Sequence, residues 1–578
     1  GGRTAPAGAY NPFNPFNQDL SDTTRMRLAE FGNRTIVNIN QAFAVTGGLR
    51  FDNVAGKFSL DLKGRYSQIG NDTNHKLISV SRFNRIMNAN DSIFNPASSD
   101  YIGTTVPYNP FGYFRNPIAT NNAPVAYATH YQRDHNTSSL ADIGALLNTG
   151  ALVDLPAGGL GFAAGVDFRR EAIDQLPDSA LQAGDIAGSP ASSPIQRQRK
   201  VSSYYTEFEI PVFSEKHSAG WARALTVNVA ARYENFLTSD QSTFVPKVGF
   251  KWMPRDDTFV VRGSWGKGFR EASLYQLYAG AVASLNPIAI NTAFYPGNNS
   301  VEPEMTGIAV GNSALAPEKS TSINVGFVWT PRESLEGFTA SVDFWKIDRT
   351  NTVSLDFQNT LDRSVTRQLL PGEVITLDAS GTITAITAPY RNQGDSTIQG
   401  VDFNTSYLWK TETLGRFQAG LGFTYVDSYK IALSPGGGKQ EYVGVAVPGS
   451  NSDDAYLQWK GQAFLTWTFK GVSTQLTANY TGGFEDIDGN DDPDGDGIGE
   501  PRHTSSLMTY DLQASYTFFP SGPARRINWW TDLKVTAGVR NLFDKDPPFA
   551  SGNAGNSNGY PGFLYTDEGR FVYLGIEK

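Results

Sequence analysis

The densest group of chemically competent side chains is the stretch DIDGNDDPDGDGIGE at residues 486–500, where carboxylates are spaced by glycines. Calcium asks for such a set, because a hard cation takes six to eight oxygen ligands from a flexible loop. With Asp492 at position 1 of a twelve-residue calcium loop, Asp494 and Asp496 fall at positions 3 and 5 and Gly497 at the turn position 6. The Ile498 carbonyl and Glu500 follow at 7 and 9, but position 12 is His503, where a bidentate glutamate is required. The flanks VSTQLTANYTGGF and SLMTYDLQASYTFF alternate apolar and polar residues, so no helix stands on either side. The stretch is not an EF-hand. Asp492, Asp494, Asp496 and Glu500 remain a candidate helix-free Ca2+ site, beside the alternative of a solvated acidic loop.

The five histidines, His75, His130, His135, His217 and His503, offer little catalytic patterning. His130 and His135 form H-x4-H within ATHYQRDHN rather than the H-E-x-x-H of a zinc protease, and no strand–turn–helix G-x-S-x-G occurs. With no cysteine, thiolate zinc sites, Fe–S clusters, disulfides and cysteine nucleophiles are excluded. An enzyme is not expected. A net charge of −9 without a basic block argues against a nucleic-acid partner. No run of eighteen apolar residues offers a transmembrane helix, and GGRTAPAGAY does not resemble a signal peptide.

Period two dominates the chain. In LTVNVAARYE (225–234), Leu225, Val227, Val229, Ala231 and Tyr233 share one face; in FQAGLGFTYV (417–426), Phe417, Ala419, Leu421, Phe423 and Tyr425 do so. VDFNTSYLW (401–409) and VSTQLTANY (472–480) repeat the pattern. A soluble sandwich would also alternate, but many of these segments reach the roughly 9–11 residues that cross a bilayer, and soluble strands average about 5–6. Aromatics gather at strand ends: Trp252, Trp409, Tyr480, Phe518, Phe519, Trp529 and Trp530. The fold class read from this is all-β, a transmembrane antiparallel barrel.

Seventeen strands are predicted, at 35–48, 57–70, 146–155, 159–172, 199–213, 222–237, 243–254, 257–270, 319–331, 336–349, 396–410, 414–430, 455–470, 473–484, 506–520, 530–541 and 570–578. Connections are expected to alternate strictly between short and long. MPRDD, TPRESLEG, KTETLG and FKG are the short ones, and long polar insertions stand at 271–318, 350–395, 430–454, 484–505 and 542–569. Bacterial barrels have short periplasmic turns and long extracellular loops, so 486–500 is expected outside the cell. In the wall segment VRGSWGKGFRE, Arg262 and Arg270 are expected to face the lumen and, with Glu271, to form wall ion pairs in preference to a basic patch for a plug or ligand.

Several segments resemble the barrel of TonB-dependent outer-membrane receptors. They are LVDLPAGGLGFAAGVDFRREA (152–172), YYTEFEIPVF (204–213), VPKVGFKWMPRDDTFVVRGSWGKGFREASLYQLY (245–278), NSALAPEKSTSINVGFVWTP (312–331), FTASVDFWKIDRTNTV (338–353), NQGDSTIQGVDFNTSY (392–407) and GVRNLFDKDPPF (538–549). The resemblance implies a barrel of the 22-stranded type, whose lumen is plugged, in the outer membrane of a Gram-negative bacterium. Residues 33–578 are then expected to be its C-terminal part, with 1–32 an extracellular segment and the plug and about five strands outside the chain. The implied function is TonB-driven import of a scarce ligand such as siderophore-iron, haem, cobalamin or oligosaccharide; a passive porin or a structural barrel subunit is the alternative. Implied partners are membrane lipid, lipopolysaccharide, TonB through the N-terminal region, and a surface lipoprotein over the loops. Ligand capture would fall to loop aromatics, for which Tyr278, Tyr295, Tyr390, Tyr442, Phe549 and Tyr560 are candidates, with Phe294 and Phe563; ordinary loop packing is the competing reading of each.

Overall fold

The computed structural model describes residues 10–15, 28–111, 118–189, 191–239, 241–255, 257–432, 438–446, 456–491, 500–518, 532–550, 559–562 and 564–578. Seventeen long strands run antiparallel to their neighbours, in chain order, as one sheet. They are β1 Ile36–Val54, β2 Phe58–Ile78, β3 Thr129–Thr149, β4 Gly161–Leu176, β5 Ile195–Phe213 and β6 Ala224–Phe236. β7 Gln241–Met253, β8 Phe259–Arg270, β9 Glu318–Trp329, β10 Phe338–Ser354, β11 Arg391–Thr411 and β12 Gly415–Ala432 continue it. β13 Trp459–Phe469, β14 Val472–Thr481, β15 Leu507–Thr517, β16 Lys534–Arg540 and β17 Phe571–Glu577 complete it. Among the described residues β1 pairs only with β2, and β17 only with β16.

The register carries one apolar face across the whole sheet. Val261 lies opposite Trp252 and Phe327, and Phe327 opposite Val342. Val342 meets Phe403, Phe403 meets Phe423, and further on Leu465 meets Leu476, which meets Leu512. These side chains stay exposed although apolar: Phe344, Leu465 and Ile576 are 51%, 46% and 70% accessible. Such a band on a soluble protein would be an aggregation surface; on this wall it is the surface that lipid covers. Aromatic rings line the short-turn end of the same face. Trp329, Phe338, Tyr407, Trp409 and Phe417 follow one another at centroid spacings of 5.6, 6.3, 5.3 and 5.3 Å, as an interfacial girdle requires.

Two expectations are corrected. The third strand is Thr129–Thr149 rather than 146–155. Its first half, THYQRDHNTSS, is polar on both faces because it stands above the apolar band, and an unbroken ladder to β2 holds it as strand. The segment 150–160 is instead a turn closed by a two-residue ladder between Asp154–Leu155 and Gly158–Gly159. Nor is the short/long alternation strict. The β6–β7 connection, at the end where the long loops gather, is only residues 237–240.

The long loops build their own cores. The connections 271–317 and 355–390 combine into a four-stranded sheet in the order Val282–Ala289, Val301–Val310, Ile383–Pro389, Val374–Leu377. It packs on the helix Phe357–Val365, whose Phe357, Leu361 and Ser364 recur at i, i+4 and i+7 and are buried. Asp356 caps that helix by accepting from the Asn359 N–H at 2.9 Å. The connection 79–128 folds around Phe83, Ile86, Ile93, Phe94 and Tyr108, with Phe31 added from before β1.

The faces of β13 make this assignment testable. Leu465→Arg, on the apolar face near mid-strand, is expected to cost about 2–4 kcal/mol in refolding into lipid vesicles. Its lumen-facing neighbour Thr466→Arg should stay within about 1 kcal/mol. Equal costs would contradict the facing of the wall.

Candidate functional site

Opposite the apolar band lies a charged wall, and its ion pairs cross strands. Lys63 Nζ reaches Asp167 at 3.4 Å, Asp167 lies 3.7 Å from Arg232, and Arg232 Nε donates to Glu234 at 2.7 Å. Glu234 also faces Arg169 at 3.5 Å; Arg169 reaches Glu171 at 2.7 Å, and Arg199 Nε donates to Glu171 at 2.9 Å. Arg199 then donates to the Ala272 carbonyl at 2.8 Å, tying the wall to the loop that follows β8. A continuous alternation of sign over four strands is worth more than isolated surface pairs, because each charge inside the run is held by two partners.

Glycine makes room for two of these contacts. Gly144 lies between Lys63 and Asp167 in the register, and Gly326 between Arg262 and Asp343. A Cβ at either glycine would collide with the aspartate, so the long cation passes over a bare backbone to an acid two strands away. Arg262 meets Asp343 bidentately at 2.9 and 2.6 Å, and Arg270 Nε donates to Glu318 at 2.8 Å with a second, shorter contact between the same groups. Both arginines are therefore in wall ion pairs. Glu271 is buried, accepts from Ser239 Oγ at 3.3 Å, and its carboxyl is raised above the usual range by burial.

The loop aromatics divide by placement. Tyr295 is buried in the sheet-and-helix core, its hydroxyl 2.8 Å from Ser364 Oγ and its ring edge-on to Phe294. Tyr442 is also buried, donating to Gln440 at 3.0 Å. Tyr295 is thus held by the loop's own core, and Tyr442 is buried within its loop beside Gln440. Tyr278 ends the short helix Leu274–Tyr278 and carries the Arg197 guanidinium over its ring at 5.5 Å. Tyr390 is half-buried and edge-on to Tyr275 at 6.4 Å. Phe549 is 57% exposed, with Arg502 over its ring at 4.6 Å. Tyr560 packs against the small cluster of Phe484, Ala550 and Tyr565. Phe549 thus keeps reachable ring surface beside a cation, while Tyr278 and Tyr390 are half-buried against the loop cores with a cation or a second ring beside them.

Asp492, Asp494 and Asp496, like Phe563, Phe519, Trp529 and Trp530, lie outside the described residues. Glu500 opens the strand Glu500–Thr504, which pairs with Phe484–Asp491. Among the described residues no group of three or more histidine, aspartate or glutamate side chains converges as a metal site. His130 and His135, five apart on β3, point to opposite faces and engage Asp178 at 2.9 Å and Asp72 at 2.5 Å. A recess of about 810 Å³ opens on the lumen side, lined by Asp402, Asn404, Thr424, Lys460, Gln462 and Asn479.

The loop module hangs on Glu373. Its side chain is 1% exposed and accepts from Arg363 Nε at 3.1 Å and the Leu370 N–H at 2.9 Å, with Arg391 at 3.6 Å. Burial works to raise this carboxyl, but the hydrogen bonds and the two guanidinium charges outweigh it and hold it below its ordinary value. A depressed folded pKa gives stability that is complete above the unfolded value of about 4.3 and is lost as pH falls through the folded one. Amide exchange in 355–390 is therefore expected to accelerate below about pH 4 while the wall strands stay protected. Glu373→Gln should open the same segment at pH 7, by about 3–5 kcal/mol, and flatten the pH dependence.

A model of the family described as TonB dependent receptor-like, beta-barrel, matches residues 2–542. No curated protein sequence matches the chain. Among solved structures, the chain is similar to the siderophore receptor PirA from Acinetobacter baumannii, with a TM-score of 0.54 at 13% identity, covering 94% of this chain and 62% of that one. It is also similar to a point mutant of the ferric enterobactin receptor PfeA from Pseudomonas aeruginosa in complex with enterobactin, with a TM-score of 0.55, 13% identity and the same coverages. The chain thus spans less than two thirds of the length of these receptors.

Proposed function

The chain belongs to the TonB-dependent receptor family through its β-barrel domain, and on that premise we propose that it serves TonB-driven import of a scarce ligand, with siderophore-bound iron as the first to test. It is a Gram-negative outer-membrane protein that crosses by strands and is not an enzyme. The observation that carries the import reading is the wall itself: a lipid-facing band on one side and, on the other, a charged lining already paired within the wall. Strands in hydrocarbon leave no edge unpaired, and among the described residues β1 and β17 pair on one side only. A barrel of the 22-stranded type is too wide for its own side chains to fill and needs a plug for selectivity. TonB is the partner that would act on such a plug.

At the outer end, the folded loops over β8–β11 give a rigid rim rather than loose connections. Tyr278 with Arg197, and Tyr390 with Tyr275, present rings and a cation near one another there, a surface suited to a flat, anionic, aromatic-bearing ligand. The siderophore receptors of similar fold support that choice of first ligand. The lipid-facing wall and long outer loops place membrane lipid and lipopolysaccharide among the proposed partners, and a Ca2+ ion held by 492–500 stays within the proposal.

Uptake of radioactive ferric siderophore by cells carrying the whole receptor tests this reading. Saturable uptake that disappears in a strain lacking TonB, or on collapse of the proton gradient, is the expected result. Uptake that persists unchanged in both conditions would make the barrel a passive pore.

A further inference from the structure

β8 ends at Arg270, and the connection 271–317 starts on Glu271, a carboxyl only 8% exposed. One of its oxygens accepts from Ser239 Oγ at 3.3 Å, near the long limit for such a bond. The other, Oε2, is buried and has no hydrogen-bond partner among the described residues. The guanidinium that acts on it, Arg199 of β5, is committed elsewhere. Its Nε donates to Glu171 at 2.9 Å and its Nη1 to the Ala272 carbonyl at 2.8 Å. Its flat group also lies 5.9 Å from the ring centre of Phe236, which stands edge-on to Phe269. The remaining charges at this corner are spoken for. On β4, Glu171 is held by Arg169 at 2.7 Å, and on β6 the buried Glu234 accepts from Arg232 at 2.7 Å; the β6–β7 connection offers only the Ser239 hydroxyl.

A buried carboxylate with one weak donor is costly, whereas the neutral acid leaves the corner uncharged. Ionised, Glu271 competes with Glu171 and the Ala272 carbonyl for a single guanidinium. We propose that Glu271 and Arg199 form a proton-operated latch: with Glu271 neutral, Arg199 holds the root of the loop module to the lumen wall through the Ala272 carbonyl, and ionised Glu271 draws the guanidinium away and frees the root. The root carries the helix Leu274–Tyr278, whose Gln276 carbonyl accepts from the Asn312 N–H at 2.9 Å, while the Ala279 carbonyl beyond it accepts from the Gly311 N–H at 2.9 Å. Release is thereby passed to the rim that presents Tyr278. The outer position of the long loops makes the medium outside the cell the source of the proton.

Burial raises the Glu271 carboxyl above its ordinary value; Glu171 adds to the effect, and Arg199 and Ser239 oppose it. A raised folded value favours the latched form fully below the unfolded value of about 4.3, and the preference is lost as pH rises through the folded one. Acid thus closes this root, the opposite of its effect at Glu373 in the same module.

Amide exchange of the whole receptor in detergent, read as protection factors over 271–281 from about pH 4 to pH 8, tests the latch. In the wild type, protection should fall by up to about tenfold per pH unit above about 4.3, since opening releases one proton, and then level off at the folded value. E271Q should give a flat profile, as protected as the wild type at the acid end. S239A, which removes the donor to the carboxylate, should move the levelling point to higher pH, and β8 should stay protected in every case. Equal wild-type protection at both ends of the range, or an S239A profile that does not move, would overturn the latch. Loss of protection in E271Q at every pH would do the same, making the carboxylate a structural partner of Arg199. Siderophore uptake is read separately, so failure here leaves the import reading standing.

Discussion

Hydrocarbon offers no hydrogen bonds, and that constraint organises the whole chain. Every backbone N–H and C=O at membrane depth must be paired within the protein, which the seventeen-strand antiparallel ladder does residue by residue between the outer edges of β1 and β17. Once the ladder exists, the pleat sends alternate side chains to two different solvents. One set must tolerate lipid, hence Phe344, Leu465 and Ile576 in the open. The other must tolerate a wet lumen without leaving charges unmatched, hence the run from Lys63 to Arg199. The wall is therefore inside-out by soluble standards, and little large apolar volume is buried at its centre. The hydrophobic cores of this protein belong to its loops.

This division explains how the loops could act. Above the membrane the chain is again in water, and ordinary burial resumes around Tyr295, Met305, Phe357, Leu361 and Ile386. The loop cores are fastened to the wall at defined points. Arg199 reaches the Ala272 carbonyl, and Asn392 Nδ2 at the start of β11 donates to the carbonyl of Ala316, in the loop before β9, at 2.8 Å. A ligand ordering the loops would thus act on groups that share charges with the lumen wall, a contiguous route rather than a distance effect.

Much of this was legible in the residues, for a physical reason. Period-two alternation is a local signal, so the number of strands and the facing of Arg262 and Arg270 follow directly from it. What escaped is non-local. The first half of β3 carries no alternation, because above the band both its faces are wet; only its ladder with β2 defines it. For Tyr295 and Tyr442 the residues leave ligand capture and loop packing both open, and the burial that favours packing depends on partners such as Ser364, sixty-nine residues away from Tyr295. The cross-strand ion pairs also join residues far apart in sequence. Their faint signature is a glycine amid a regular strand, at Gly144 and Gly326, which marks a close approach once the register is known.

The central claim is that one face of each strand meets lipid and the other meets water. The chain has no cysteine, so single cysteines can be introduced along β12 and spin-labelled in the whole receptor in vesicles. Collision with oxygen is expected at 419, 421, 423 and 425 and with a water-soluble nickel chelate at 418, 420, 422 and 424, in strict alternation. Uniform access to the nickel chelate along both series would contradict a membrane-spanning wall.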